Sequence, residues 1–183
     1  MKKPTINQAL TLTLIAVLAF SIGYLTNPLI QHFDPKVNVE LYISENAGPS
    51  VLMYSGNLIT DIGEYFIGNC TIGLDSNATW AISLSNVGSP LAAWTELDTE
   101  VAANGFNRTA AQEVRWTNGG DWAINFTYTF TASGSQQLQT AGLQWDATEE
   151  SDNNLLAAAT FTQTTFESAD TLTVTWVITV NAN

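Results

Sequence analysis

Apolar and polar residues alternate along most of the chain from residue 37 onward. Three stretches show the alternation most clearly, residues 37–44, 122–130 and 171–180, each with an apolar side chain at every second position. Alternation of this length is typical of half-buried β-strands, and the threonine and aromatic content favours the same structure. Weaker patterns predict further strands at residues 51–54, 80–85, 114–117 and 155–165.

Turn-forming residues separate these predicted strands. They cluster at residues 46–49, 86–90, 118–121, 133–135 and 152–154. Several short strands with turns between them predict an all-β domain over residues 37–183, a β-sandwich or jelly-roll-like fold preceded by one N-terminal hydrophobic helix. Two segments that carry acidic residues, 58–67 and 94–103, are predicted to form helical turns.

The first part of the chain has a different pattern. Residues 9–25 are mostly apolar and uncharged, and their length is at the lower limit for crossing a hydrocarbon core about 30 Å thick. We expect a basic tip at 1–8, a transmembrane anchor or signal segment at 9–26 and a stem at 27–36. The segment is either retained as a signal anchor or removed as a signal peptide, with small residues at 19–21 and 21–23 that suit cleavage.

Charge predicts the orientation of the chain. Lys2 and Lys3 are the only charged residues before Asp34, and they favour a cytoplasmic N-terminus. The remaining three cations oppose 17 acidic residues, so residues 34–183 carry a net charge of −14. The acidic domain is therefore expected outside the cell, as a membrane-anchored or secreted protein. So few cations argue against nucleic acid as a partner, because phosphate binding needs clustered Lys and Arg.

The composition also argues against several kinds of catalysis. The chain has a single cysteine, Cys70, and a single histidine, His32. One cysteine excludes a disulfide framework and thiolate-rich metal sites within one chain. His32 falls in the stem, away from any serine of the body. We therefore expect no enzyme and no catalytic residues.

Four Asn-x-Ser/Thr sequons predict a glycoprotein. If the domain is exported, all four are accessible to a glycosylating enzyme. The last of them lies on the polar face of a predicted strand, where a glycan would leave the core undisturbed. The candidate glycosylation sites are Asn69, Asn77, Asn107 and Asn125.

Acidic residues cluster at two places, residues 96–100 and 146–152. The second cluster has enough oxygens to be considered for calcium, but a solvated acidic loop explains it better. The weak calcium candidates are Asp146, Glu149, Glu150 and Asp152; no other cofactor or metal is expected. Two carboxylates in a sugar cleft could also serve a glycosidase, but the spacing identifies no pair.

The six tryptophans divide by their position in the pattern. Trp80, Trp122 and Trp176 fall in register with the apolar side of their strands, which predicts that they belong to the core. Trp94 and Trp145 fall in predicted loops and are the candidates for stacking against a ligand.

Several segments across residues 57–180 resemble uncharacterised structural proteins encoded by tailed phages, archaeal viruses and proviruses. The closing strand is the most specific part; those proteins usually have Gly-Asp-Thr-Leu where this chain has Ala169 before Asp170. The resemblance implies a compact β-structured virion or tail-associated protein, and it carries over no catalytic residue. The matching segments are residues 57–63, 97–101, 141–143, 155–161 and 169–180.

These observations favour a non-enzymatic structural subunit of a surface filament, outer layer or virion that self-assembles into a homo-oligomer. Residues 24–44 are predicted to add a strand to the sheet of a neighbouring subunit. Deleting them is expected to leave folded monomers that do not assemble. One alternative is an adhesin-like module that recognises glycans or a partner surface. Another is a pilus subunit assembled by donor-strand exchange, and a carboxylate-dependent hydrolase is the third.

Overall fold

A computed structural model describes residues 36–56, 59–71, 78–118, 121–148 and 153–181. The described chain is mostly β-structure, with two antiparallel sheets and one short helix. In chain order the elements are β1 (Lys36–Glu45), β2 (Val51–Gly56), α1 (Asp61–Thr71), β3 (Ala81–Ser85), β4 (Thr109–Ala110), β5 (Gln112–Asn118), β6 (Asp121–Thr131), β7 (Gln136–Gln144), β8 (Leu155–Phe166) and β9 (Thr171–Asn181).

The first sheet has five strands in the order β2-β1-β9-β6-β5. Long regular ladders join its three central strands; Leu41 of β1 lies opposite Trp176 of β9, which lies opposite Phe126 of β6. All three side chains are buried. Every second residue of each of these strands therefore points into one core, as the alternation of the sequence predicts.

The second sheet has four strands in the order β4-β3-β7-β8. Its inward residues, including Ile82, Leu84 and Leu143, join those of the five-stranded sheet in one hydrophobic core. The other side of this sheet is also covered in its middle. There Leu155 and Ala158 pack with Leu97 of the loop between β3 and β4 in a smaller apolar cluster.

Helix α1 begins beside β8. Thr60 caps it, because its Oγ1 accepts a hydrogen bond from the backbone N–H of Gly63 at 3.0 Å. The Thr60 hydroxyl in turn donates to the carbonyl of Leu155. A side chain at Gly63 would collide with the backbone of Leu156, so glycine lets the helix approach the strand closely.

Every strand that the alternation predicts is present, with ends shifted by a few residues. Strand β7 and the two-residue β4 were not predicted. The predicted helical turn at 58–67 corresponds to α1, which starts at Asp61 and ends at Thr71.

The predicted helical turn at 94–103 is wrong. The segment forms turns and an isolated bridge between Glu100 and Ser85. The N–H of Val101 donates to the carbonyl of Leu84 at 2.8 Å, and the Ser85 hydroxyl donates to the carbonyl of Asp98 at 2.6 Å. These backbone groups bond to β3 and not to one another, which prevents a helix.

The N-terminal predictions at 1–8, 9–26 and 27–35 lie outside the described residues. Within the described ranges, no helix has the length and apolar character that a membrane crossing needs. Residues 24–44 are predicted to add a strand to a neighbour; from Lys36 onward this segment forms β1, which pairs with β2 and β9 of its own chain. Deleting residues 24–44 would remove buried Val39, Leu41 and Ile43 and unfold the domain.

Candidate binding face on the five-stranded sheet

The five-stranded sheet has one side in the core and one side in solvent. We call the solvent side the outer face. Of its described side chains only Glu40 is charged, which is unusual for a chain with a net charge of −12. Its described members are Asn38, Glu40, Tyr42, Ser44, Leu52, Gln112, Val114, Trp116, Ala123, Asn125, Thr127, Thr129, Thr131, Thr171, Thr173, Thr175, Val177 and Thr179.

A groove of about 400 Å³ crosses this face. It runs over four neighbouring strands, with Tyr42 of β1 towards one end and Trp116 of β5 towards the other. Three strand spacings separate β1 from β5, or about 14 Å. Its volume falls within the range of about 300–1,000 Å³ that is typical of small-molecule sites. The other lining residues are Glu40, Ser50, Ala123, Asn125, Thr175, Val177 and Thr179.

Hydrogen bonds order the β1 end of the groove. The Tyr42 hydroxyl donates to Oε2 of Glu40 at 2.9 Å, and Nδ2 of Asn38 donates to Oε1 of Glu40 at 3.4 Å. The bond from the neutral phenol to the carboxylate raises the pKa of Tyr42 above its usual value, with burial and the negative charge of Glu40 adding to the effect. Tyr42 therefore remains a protonated donor at neutral pH.

Asn125 lies in the middle strands of the groove, opposite Val177 of β9 and Val114 of β5. Its side chain is half-buried, and its Oδ1 is buried without a hydrogen-bond partner. Leaving a buried acceptor unpaired costs free energy. A half-turn of the amide would bring that oxygen towards the groove, where a ligand hydroxyl could donate to it.

Threonine pairs stiffen the sheet beside Asn125. The hydroxyls of Thr127 and Thr175 lie 3.1 Å apart, and those of Thr129 and Thr173 lie 2.8 Å apart. Cross-strand pairs of this kind stabilise a sheet. The groove is thus built on three rigidly paired central strands.

Exposed apolar side chains flank the groove at β5. Val114 is 51% exposed and Trp116 is 37% exposed. Interfaces are enriched in aromatic residues and depleted of charge at their centres, so this composition is typical of a binding surface. The sequence reasoning did not single out Trp116. Its position on the solvent side of the predicted strand 114–117 could have indicated an exposed aromatic residue.

The prediction that Trp122 belongs to the core is wrong. It is 61% exposed, because it lies at the start of β6, opposite Val180 at the end of β9, where the core does not reach. Trp176 is completely buried, and Trp80 is half-buried against the core, where it contacts Phe66 and Phe126. Those two predictions are confirmed.

The two tryptophans predicted to stack on a ligand have protein partners. Trp145 is stacked on Phe66 with the ring centroids 4.3 Å apart and the planes 8° apart. Trp94 packs against the small cluster of Leu97, Leu155 and Ala158. Ligand stacking is therefore better served by Trp116.

The sheet edges are protected against pairing with other chains in ways known from natural β-proteins. Strand β5 carries Glu113 and Arg115, which form an ion pair, and β4 is only two residues long. Strand β2 has an irregularity opposite Leu41–Tyr42. A groove of about 390 Å³ beside β2 contains Ile43 and Met53 but opens between the two sheets.

The edge of β8 is covered in part. The N–H of Thr60 donates to the carbonyl of Leu156 at 2.9 Å, and the N–H of Leu155 donates to the carbonyl of Thr95 at 3.2 Å. The ladder between β7 and β8 is interrupted near Thr140. Such irregularities bend a strand and hinder further pairing.

The predicted glycosylation sites fall in different places. Asn107 is exposed and Asn125 lies in the groove, while Asn69 is in α1 and Asn77 lies outside the described residues.

Of the weak calcium candidates only Asp146 is described. Its Oδ1 accepts a hydrogen bond from the N–H of Thr148 at 2.9 Å. Glu149, Glu150 and Asp152 lie outside the described residues. In the described part of the chain no group of three His, Cys, Asp or Glu is placed to hold a metal ion.

Glu100 of the first acidic cluster has a structural role. Glu100 forms a two-pronged ion pair with buried Arg108, with Nε–Oε1 at 3.0 Å and Nη2–Oε2 at 2.6 Å. Nη1 of Arg108 also donates to the carbonyl of Thr148 at 2.7 Å. Arg108 therefore joins two loops.

Comparison with known protein families finds no family model that matches the chain, and comparison with curated proteins finds no match.

Proposed function

We propose that the chain is a non-enzymatic structural subunit of an extracellular surface assembly or virion, and that its outer face holds a neighbouring component of that assembly. The observation that carries the proposal is that Glu40 is the one charged residue among the described side chains of the outer face. A solvated sheet face in a chain with 17 acidic residues would be expected to display several of them. With few charged side chains among those described, the outer face loses its water at a small cost in free energy.

The architecture supports this use. Two sheets on one core suit a β-sandwich, and the pairs β1–β2, β3–β4, β5–β6 and β7–β8 are each neighbours within one sheet. Such pairing of consecutive strands within each sheet supports a β-sandwich. The predicted membrane segment at 9–26 would present the domain outside the cell, and the resemblance to virion proteins is compatible with the same role.

The protected edges speak against the pilus alternative. Donor-strand exchange needs a sheet edge that accepts a foreign strand, whereas each edge of the described sheets is charged, very short, irregular or covered. Association through the outer face needs no free edge. We therefore place the contact between subunits on this face.

Charge placed on the outer face tests the proposal. In the full chain, extracted in detergent, we expect the wild type to form oligomers by light scattering and Val114→Lys/Val177→Lys to be monomeric. The matched control is Gln137→Lys/Thr165→Lys, which adds the same charge to two paired positions on the outside of the four-stranded sheet and should assemble normally. Circular dichroism checks that each variant keeps its β-structure. A monomeric wild type at every concentration, or assembly by the outer-face variant, would contradict the proposal.

A further inference from the structure

We propose that the groove on the outer face binds a neutral glycan displayed by the neighbouring component. This inference rests on the proposed function, because it names what the same face recognises. It starts from the combination of groups in one groove: two aromatic rings, a carboxylate, a carboxamide and several hydroxyls.

The aromatic side chains provide the apolar contacts. A pyranose ring has an apolar side made of C–H groups, and the face of an aromatic ring carries partial negative charge that attracts them. Trp116 is partly exposed on β5, and Tyr42 lies three strands away. Trp116 lies in the same cross-strand row as Asn38, four residues before Tyr42 on β1. Three strand spacings of about 14 Å and about 13 Å along the strand therefore separate the two residues by about 19 Å, which suits a chain of several sugar units and exceeds a single ring.

The polar side chains provide acceptors for hydroxyl groups. Glu40 is held in place by the bonds from Tyr42 and Asn38, so its carboxylate is oriented before any ligand arrives. Asn125 has a buried amide oxygen that no donor satisfies. The preorganised carboxylate of Glu40 reduces the entropy lost on binding, whereas the Asn125 oxygen is offered to a ligand only after its amide turns towards the groove. A polyhydroxylated ligand supplies donors to both.

The charge of the groove selects among ligands. Among the described side chains, its lining contains one carboxylate and no cation, so the carboxylate of Glu40 would repel phosphate, sulfate and uronate groups. This charge disfavours nucleic acids and acidic polysaccharides as ligands of the groove. Neutral glycans are the class that remains compatible with both the rings and the acceptors.

The inference gives Asn125 a role that excludes its own glycosylation. A glycan attached to Asn125 would start inside the groove and occupy it. We therefore expect Asn125 to be unmodified in the native protein, whatever the state of the other three sequons. Intact-mass and peptide analysis that found Asn125 glycosylated would overturn the inference.

Binding is tested with the full chain produced in a host that attaches no glycans. The probe is an array of neutral oligosaccharides, namely glucans, mannans, galactans and N-acetylglucosamine oligomers, followed by calorimetric titration of the member that binds best. Trp116→Ala should weaken binding roughly tenfold or more, and Glu40→Gln should weaken it less. Trp122→Ala is the matched control, because Trp122 is exposed but does not line the groove, and it should bind like the wild type.

Two results would overturn the inference: no array member bound by the wild type, or equal loss in Trp116→Ala and Trp122→Ala. The two proposals fail separately. Subunits that associate but bind no sugar would overturn only the glycan inference. A chain that binds sugar yet stays monomeric at every concentration would overturn only the role in assembly.

Discussion

The two sheets use their second sides differently. The five-stranded sheet has one side in the core and leaves the other in solvent, where Thr, Asn and aromatic side chains surround a groove. The four-stranded sheet is covered on both sides in its middle, since Leu97 and its neighbours pack on the side away from the main core. In the proposed function, the four-stranded sheet is the scaffold and the solvated side of the five-stranded sheet is the contact surface.

Trp176→Ala should have the largest effect on stability, because it removes a completely buried ring from the core side of the five-stranded sheet. We expect a loss of about 3–5 kcal/mol in the free energy of unfolding. Thr175→Ala, the next residue on the same strand but on the outer face, should cost about 1 kcal/mol or less. Denaturant unfolding of both variants measures the difference between the two sides, and equal losses would contradict it.

Gly142→Leu tests the covered side of the four-stranded sheet. A Cβ at Gly142 would lie 2.9 Å from Oγ of Ser83 and 3.1 Å from Cδ1 of Leu155. The side chain would push the loop away from the sheet, so we expect a loss of about 1–3 kcal/mol. Thr129→Leu on the exposed outer face breaks the pair with Thr173 and should cost about 1 kcal/mol or less. Thermal unfolding compares them; a harmless Gly142→Leu would show that this side is open.

The smallest effect concerns the pH dependence of Tyr42. The bond to Glu40 raises the pKa of Tyr42. The hydrogen bond therefore makes its full contribution to the stability of the folded protein at pH values below the usual tyrosine pKa of about 10. It is lost as the pH rises through the higher pKa of the folded protein. Glu40→Gln should move this titration down towards about 10, as followed by tyrosinate absorbance, with Tyr42→Phe identifying the signal. An unchanged titration in Glu40→Gln would show that the bond is absent.

Strands were predicted correctly from the sequence where one side of the strand faces solvent and the other faces the core. Strands β1, β6 and β9 belong to the five-stranded sheet, and their alternation reflects a buried side and a solvated side. Strand β7 escaped notice because both its sides are buried, so Thr140, Gly142 and Gln144 are as inaccessible as Leu138 and Leu143. A period of two disappears when neither side meets water.

The candidate site was harder to predict than the fold. Its groups come from β1, β5, β6 and β9, and only the strand order brings Tyr42, Asn125 and Trp116 to one face. Ala169 illustrates a local feature that a sequence pattern can indicate. The expected resemblance to virion proteins predicts glycine at that position, and Ala169 has a positive φ of 78°, a conformation that favours glycine.

Oxidative footprinting of Trp116 and Trp122 tests most directly whether the outer face is the contact surface. Both side chains are exposed in the isolated subunit, and only Trp116 lies on the outer face. Assembly should protect Trp116 from oxidation and leave Trp122 as reactive as in the monomeric Val114→Lys/Val177→Lys variant. Equal oxidation of Trp116 in the assembled protein and in that variant would contradict the account.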